Sequence, residues 1–200
     1  MLNRHRTPVT LVPLLFSAAA YAQPATTATD APVGSATGTA LEIRLQTGDV
    51  PLSDGSSMPV TEGGAFLGYH WPRMTIGVGV AFRRVASSAP SSFGTVATTT
   101  AVVLPGAQFS LARASDGRVE LFGAIDAGLG RTWFSASGGS PAAPIRSVRL
   151  QIGPGFRFWA SPSFAVGAST GLRYEYFGDV GTRAMSITTW TTSLHLTAVF

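Results

Sequence analysis

Eight charged residues recur at even spacings along the chain: Glu42 and Arg44, Glu120 and Asp126, Arg149 and Arg157, and Arg173 and Glu175. In extended backbone, successive side chains point to opposite sides, so even separations put each pair on one face. Their neighbours on that face are mostly Gly, Ala, Ser and Thr. Four carboxylates against four guanidiniums is the chemistry of ion pairing. Enclosed together they neutralise one another, whereas each alone is costly to bury. Folding the chain about Pro162 sets Arg149 opposite Glu175. Folding the preceding two stretches about their longer connection brings Asp126 near Arg149 and Glu120 near Arg157. The expectation is an internal arginine–carboxylate ladder with a structural role.

Other chemistry is sparse. His70 and His195 fall on the same small-residue face, with no second ligand at metal-binding spacing. No Ser/His/Asp constellation, paired-His motif or phosphate-binding Gly-rich loop is found, and "GPGF" and "GVGV" read as strand glycines. The sequence therefore predicts no catalytic residue, no metal site and no cofactor.

The elements that carry these residues alternate with period two, and no run has helical period. "TALEIRLQT" sets Leu41, Ile43 and Leu45 against Glu42, Arg44 and Gln46, and "MTIGVGVAFR" sets Met74, Ile76, Val78, Val80 and Phe82 against small residues. Similar stretches begin near Gly64, Val102, Val119, Val148, Phe164 and Thr188, eight in all. Tight turns at Pro72-Arg73, Ser115–Arg118 and Ser161–Ser163 alternate with longer connections at about 48–62, 85–97, 135–145 and 180–186. Such alternation predicts an all-β, eight-stranded antiparallel up-and-down transmembrane β-barrel. Pro105 and Pro154 lie inside strands and lack a ladder donor, so bulges are expected at "LPGA" and "GPGF".

Both faces are unusual for a water-soluble barrel. One is apolar almost throughout, and the other is too small-residued and too poor in charge to be a solvated exterior. Turning the barrel inside out reconciles them, with apolar side chains toward hydrocarbon and small polar ones filling a narrow lumen. Trp71, Phe158, Phe164 and Phe200 then fall at the ends of their strands nearer the tight turns. Phe82, Trp133, Tyr174, Tyr176 and Trp190 fall at the opposite ends, giving two aromatic belts at the membrane interfaces.

Composition agrees. Charged residues are 12% of the 200, all 14 basic residues are Arg, and Cys is absent. The arginines are scattered, so the formal +4 is no nucleic-acid footprint, and no thiolate site or disulfide is possible. Residues 1–22 read as a signal peptide: Arg4, His5 and Arg6, then "TPVTLVPLLFSAAA", then the small-x-small pattern Ala20-Tyr21-Ala22. Residues 23–38 are Ala/Thr/Pro-rich and read as a flexible periplasmic tail, which leaves 39–200 for the barrel.

With these strands, loops and leader in place, the chain resembles the small OmpA/OmpX-like outer-membrane β-barrels, over Thr39 to Phe200. The resemblance rests on the eight alternating strands and on the final "SLHLTAVF". It implies that Leu196, Ala198 and Phe200 form a signal read by the barrel-assembly machinery. It also implies residence in a bacterial outer membrane, with lipid and lipopolysaccharide as surroundings. The expected role is non-enzymatic, contributing to envelope integrity or to adhesion and binding of an extracellular ligand through the loops. The alternatives are a small pore and a lipid A-modifying enzyme. An eight-stranded lumen is narrow for the first, and the inward histidines are poorly placed for the second.

Overall fold

The computed structural model describes residues 36–51, 57–88, 95–136, 143–180 and 183–200. The predicted signal peptide and nearly all of the predicted tail lie outside them. Eight strands account for almost everything described: β1 (Gly38–Pro51), β2 (Ser57–Trp71), β3 (Met74–Ser88), β4 (Thr95–Arg113), β5 (Val119–Ala136), β6 (Ile145–Ser161), β7 (Phe164–Val180) and β8 (Arg183–Val199). Each pairs antiparallel with the next, and β1 pairs with β8, which closes the barrel. The seam is completed beyond β8, where Thr39 and Phe200 exchange backbone hydrogen bonds of 3.1 and 2.8 Å. Closure satisfies the edge donors and acceptors that an open sheet would leave bare.

The faces divide as the alternation predicts. Leu67 is 59% exposed, Ile152 55% and Leu129 69%, all pointing outward. Arg149, Arg157, Glu42 and Glu120 are buried inside. Charge lies within and hydrocarbon without, the inverse of a soluble core.

Four expectations need correction. The strands run further than the alternation reveals: β2 starts at Ser57, β4 at Thr95 and β8 at Arg183. These segments are rich in Thr, Ser, Gly and Ala, whose similar polarity on both faces hides period two. Only residues 181–182 then separate β7 from β8, so short and long connections do not alternate strictly. Strand extension also moves Tyr174, Tyr176 and Trp190 away from the strand ends, because β7 continues to Val180 and β8 begins at Arg183. Lastly, Gly38, assigned to the tail, is the first residue of β1 and sits across from His70.

Pro105 and Pro154 produce no bulge. The β4–β5 register is the same before and after Pro105, with Val103 opposite Leu129 and Gly106 opposite Asp126. The β6–β7 register likewise persists across Pro154, from Ile152–Leu172 to Gly155–Ser169. Each proline points outward and interrupts pairing with one neighbour, while Val78 and Gly123 keep their places opposite on the other side. Shifts in register occur instead between Ser110 and Ala112, Trp159 and Ser161, and Phe177 and Val180, toward strand ends.

Candidate functional site: the ionic lumen

All eight predicted lumen charges face inward, and the structure adds Glu62 and Arg83. Glu62 had been assigned to a loop, because β2 was expected to begin after it. The ionic side chains form two groups along the axis.

The first gathers on Glu42. Its carboxylate accepts from Arg44 Nε at 2.5 Å, Gln108 Nε2 at 3.1 Å to each oxygen, Thr197 Oγ1 at 3.1 Å and Arg157 Nη2 at 3.4 Å. His195 Nδ1 lies 2.9 Å from it. Arg44 also reaches Asp126 at 2.9 Å, and its guanidinium stacks over Phe66 at 4.6 Å. Arg157 stacks over Phe122 at 4.7 Å and donates to Gln108 Oε1. Glu120 accepts from Trp159 Nε1 at 2.8 Å, with Arg113 at 3.2 Å and Arg157 at 3.8 Å.

The second group lies nearer the loop end. Arg149 bridges Glu62 at 2.7 Å and Glu175 at 3.3 Å, Arg173 contacts Glu62 at 3.1 Å and Gln46, and Arg83 reaches Glu175 at 3.2 Å. Planar guanidiniums suit this work, since one fork can serve carboxylates on two walls. Between the groups the walls carry small residues, and the void there is about 30 Å³, room for one or two waters.

The register expectations divide. Arg149 is directly opposite Glu175, and Glu120 opposite Arg157, as predicted. Asp126 is opposite Gln151, one step along the face from Arg149, but its ion pair is with Arg44 across the lumen. Hairpin register constrains neighbours, whereas contacts through the lumen depend on barrel stagger. The arrangement is thus a cross-lumen network rather than a ladder along adjacent strands.

One constellation was missed. Ser169 Oγ lies 2.8 Å from His195 Nε2, whose Nδ1 faces Glu42, an arrangement of serine, imidazole and acid. Ser169 and His195 meet across the β7–β8 hairpin, but Glu42 joins them only when β1 closes on β8, so no motif spacing reveals the set of three. The surroundings do not suit acyl transfer. Glu42 is already held by Arg44, Gln108 and Thr197, and Ser169 pairs with Ser193 and Gly155 within the sheet. A void with room for one or two waters admits no ester chain. His70 has Thr75 Oγ1 at 2.7 Å and stands beside Trp159. Among the described residues no cluster of metal-ligating groups occurs.

The predicted interface aromatics Trp71, Trp133, Phe158, Tyr174, Tyr176, Trp190 and Phe200 all face outward. So do Leu196 and, half-buried, Ala198. Trp159 differs from its neighbour Phe158: it turns fully inward and packs with Ala40, Ala165 and Val199.

No family model matches the chain, and no curated protein is similar to it in sequence. Solved structures are similar in fold. Neisserial surface protein A shares 18% identity over 82% of this chain and 97% of its own, with a TM-score of 0.62. The attachment invasion locus protein Ail of Yersinia pestis, crystallised with the heparin analogue sucrose octasulfate, shares 18% identity over 80% of this chain and 98% of its own, at a TM-score of 0.48. For the N-terminal β-barrel domain of Pseudomonas aeruginosa OprF the values are 13%, 82%, 100% and 0.45. Closed, eight-stranded and inverted in polarity, the chain has the fold of the small outer-membrane β-barrels that its sequence resembles.

Proposed function

We propose that this chain is a non-enzymatic integral protein of a bacterial outer membrane, exported by residues 1–22, with an ion-paired lumen that acts as a structural plug. The observation that carries this reading is the inverted polarity. Leu67, Leu129 and Ile152 are exposed on the same strands, β2, β5 and β6, that bury Glu62, Asp126 and Arg149. In water such an exterior would aggregate, whereas in hydrocarbon it is the stable solution. The outward aromatics then serve as interface anchors, and Leu196, Ala198 and Phe200 as the assembly signal for the barrel-assembly machinery. The protein contributes to envelope integrity or surface binding from its loop end.

The reading is tested by outer-membrane fractionation together with heat-modifiable electrophoretic mobility. Recovery in the soluble periplasm would overturn it. Planar-bilayer recording should show no steady conductance, because the lumen between the ionic groups holds only about 30 Å³ of void.

The Ser169–His195–Glu42 contact defines a competing reading, a lipid-acyl hydrolase, which the filled lumen opposes. It requires a shift in the lipid A mass spectrum on overexpression that Ser169→Ala abolishes. We expect no shift from either protein.

A further inference from the structure

Arg131 on β5 and Arg146 on β6 are direct cross-strand partners, and both side chains are exposed on the outward face. Side chains so placed have Cβ atoms about 5 Å apart, and like charges there repel. Among the described side chains of β3 to β7 no Asp or Glu points outward, since Glu120, Asp126 and Glu175 are all turned into the lumen. An inward ion-pair partner is also excluded by the pleat, which sends both arginines away from the lumen.

Small residues flank the pair on both sides. Arg131 is flanked on β4 by Ala101. Arg146 is flanked on β7 by Gly178, where an added Cβ would meet only the Arg146 carbonyl, at 3.4 Å. The row therefore reads small, Arg, Arg, small, and lies in a groove of about 540 Å³. Two residues nearer the tight-turn end, the paired Leu129 and Val148 give the groove an apolar bed, and Trp133 and Tyr176 stand at its margins. A paired cationic head above an apolar bed fits an amphiphile with an anionic head and an acyl chain.

We propose that this groove binds a phosphorylated lipid of the outer leaflet, its phosphate held between Arg131 and Arg146 and an acyl chain laid over Leu129 and Val148. Two guanidinium forks can each meet a phosphate bidentately, which turns their mutual repulsion into a binding site. The proposal rests on the outer-membrane reading above, and it adds the partner and its place on the barrel.

The test is native mass spectrometry of the full folded chain in neutral detergent, with bis-phosphorylated lipid A and enzymatically dephosphorylated lipid A as probes. The wild type should prefer the phosphorylated lipid. Arg131→Gln with Arg146→Gln should reduce that preference roughly tenfold or more, and Arg146→Gln alone should reduce it in part. Arg73→Gln, which removes an exposed arginine from the tight turn at the other end, should leave it unchanged. Equal binding of both lipids by the wild type, an unaffected double variant, or an equal loss with Arg73→Gln would each overturn the proposal. Fractionation separates the two readings: a membrane-inserted barrel without phosphate preference defeats only this one, and a soluble protein defeats the other.

Discussion

Arg149 of β6 is directly opposite Glu175 on β7, and its guanidinium meets that carboxylate at 3.3 Å while reaching Glu62 on β2 at 2.7 Å. One side chain thus ties adjacent strands to a wall across the lumen, and it is fully buried. A buried arginine in this position is justified only by both partners together.

Arg149→Met should therefore destabilise the folded barrel by about 3–5 kcal/mol, since it strands charge in a dry interior. Urea unfolding from lipid vesicles would measure it. Glu175→Gln with Arg149→Met should cost less than the sum of the two single changes, because each single change leaves the other partner uncompensated. Additive losses would show that the two groups do not act as a pair.

Ile152 is exposed in the middle of β6, opposite Ile125 and Leu172. Ile152→Arg should cost roughly 2–4 kcal/mol if this face meets hydrocarbon. In a water-soluble barrel the same change would be close to neutral. The measurement is again unfolding from vesicles, and a negligible effect would remove the lipid-facing assignment of this strand.

Gly153 and Gly171 face one another where Pro154 interrupts the β6–β7 ladder, and a Cβ on Gly153 would meet Gly171 Cα at 2.6 Å. Gly153→Ala should be destabilising by about 1–3 kcal/mol, as overpacking is in tight interiors. Gly63→Ala, with nothing within 4 Å of the new methyl group, should change stability by less than about 0.5 kcal/mol. Equal effects at the two sites would contradict the close approach.

Removal of Phe200 deletes both backbone hydrogen bonds that it exchanges with Thr39 at the β1–β8 seam, together with an outward aromatic. The folded fraction in the outer membrane should fall further than after a deletion within residues 137–142. Heat-modifiable electrophoresis of the two deletions, expressed side by side, would measure the difference. Wild-type levels of folded barrel without Phe200 would refute both its seam role and its proposed part in assembly.

Much of this architecture was legible because a strand's side-chain period is two. "LEIRLQ" and "MTIGVGVAF" announce which residues share a face, and the opposition of a charged, small-residue face to an apolar one implies the inversion. Local register was legible as well: folding about Pro162 sets Arg149 opposite Glu175, and the register shift between Trp159 and Ser161 delivers that pairing. Period two failed where both faces carry Thr, Ser, Gly and Ala, which is why the start of β2, and with it Glu62, was read as loop.

Parity and hairpin register thus follow from the sequence by itself. Which residues meet across the lumen does not, because that depends on how far the closed sheet staggers as it returns to β1. Asp126 joins Arg44 rather than Arg149, and Glu42 joins the Ser169–His195 pair of the β7–β8 hairpin only when β1 closes on β8. A shift of one residue would turn the whole face of a strand inside out, so the tertiary structure alone decides these meetings.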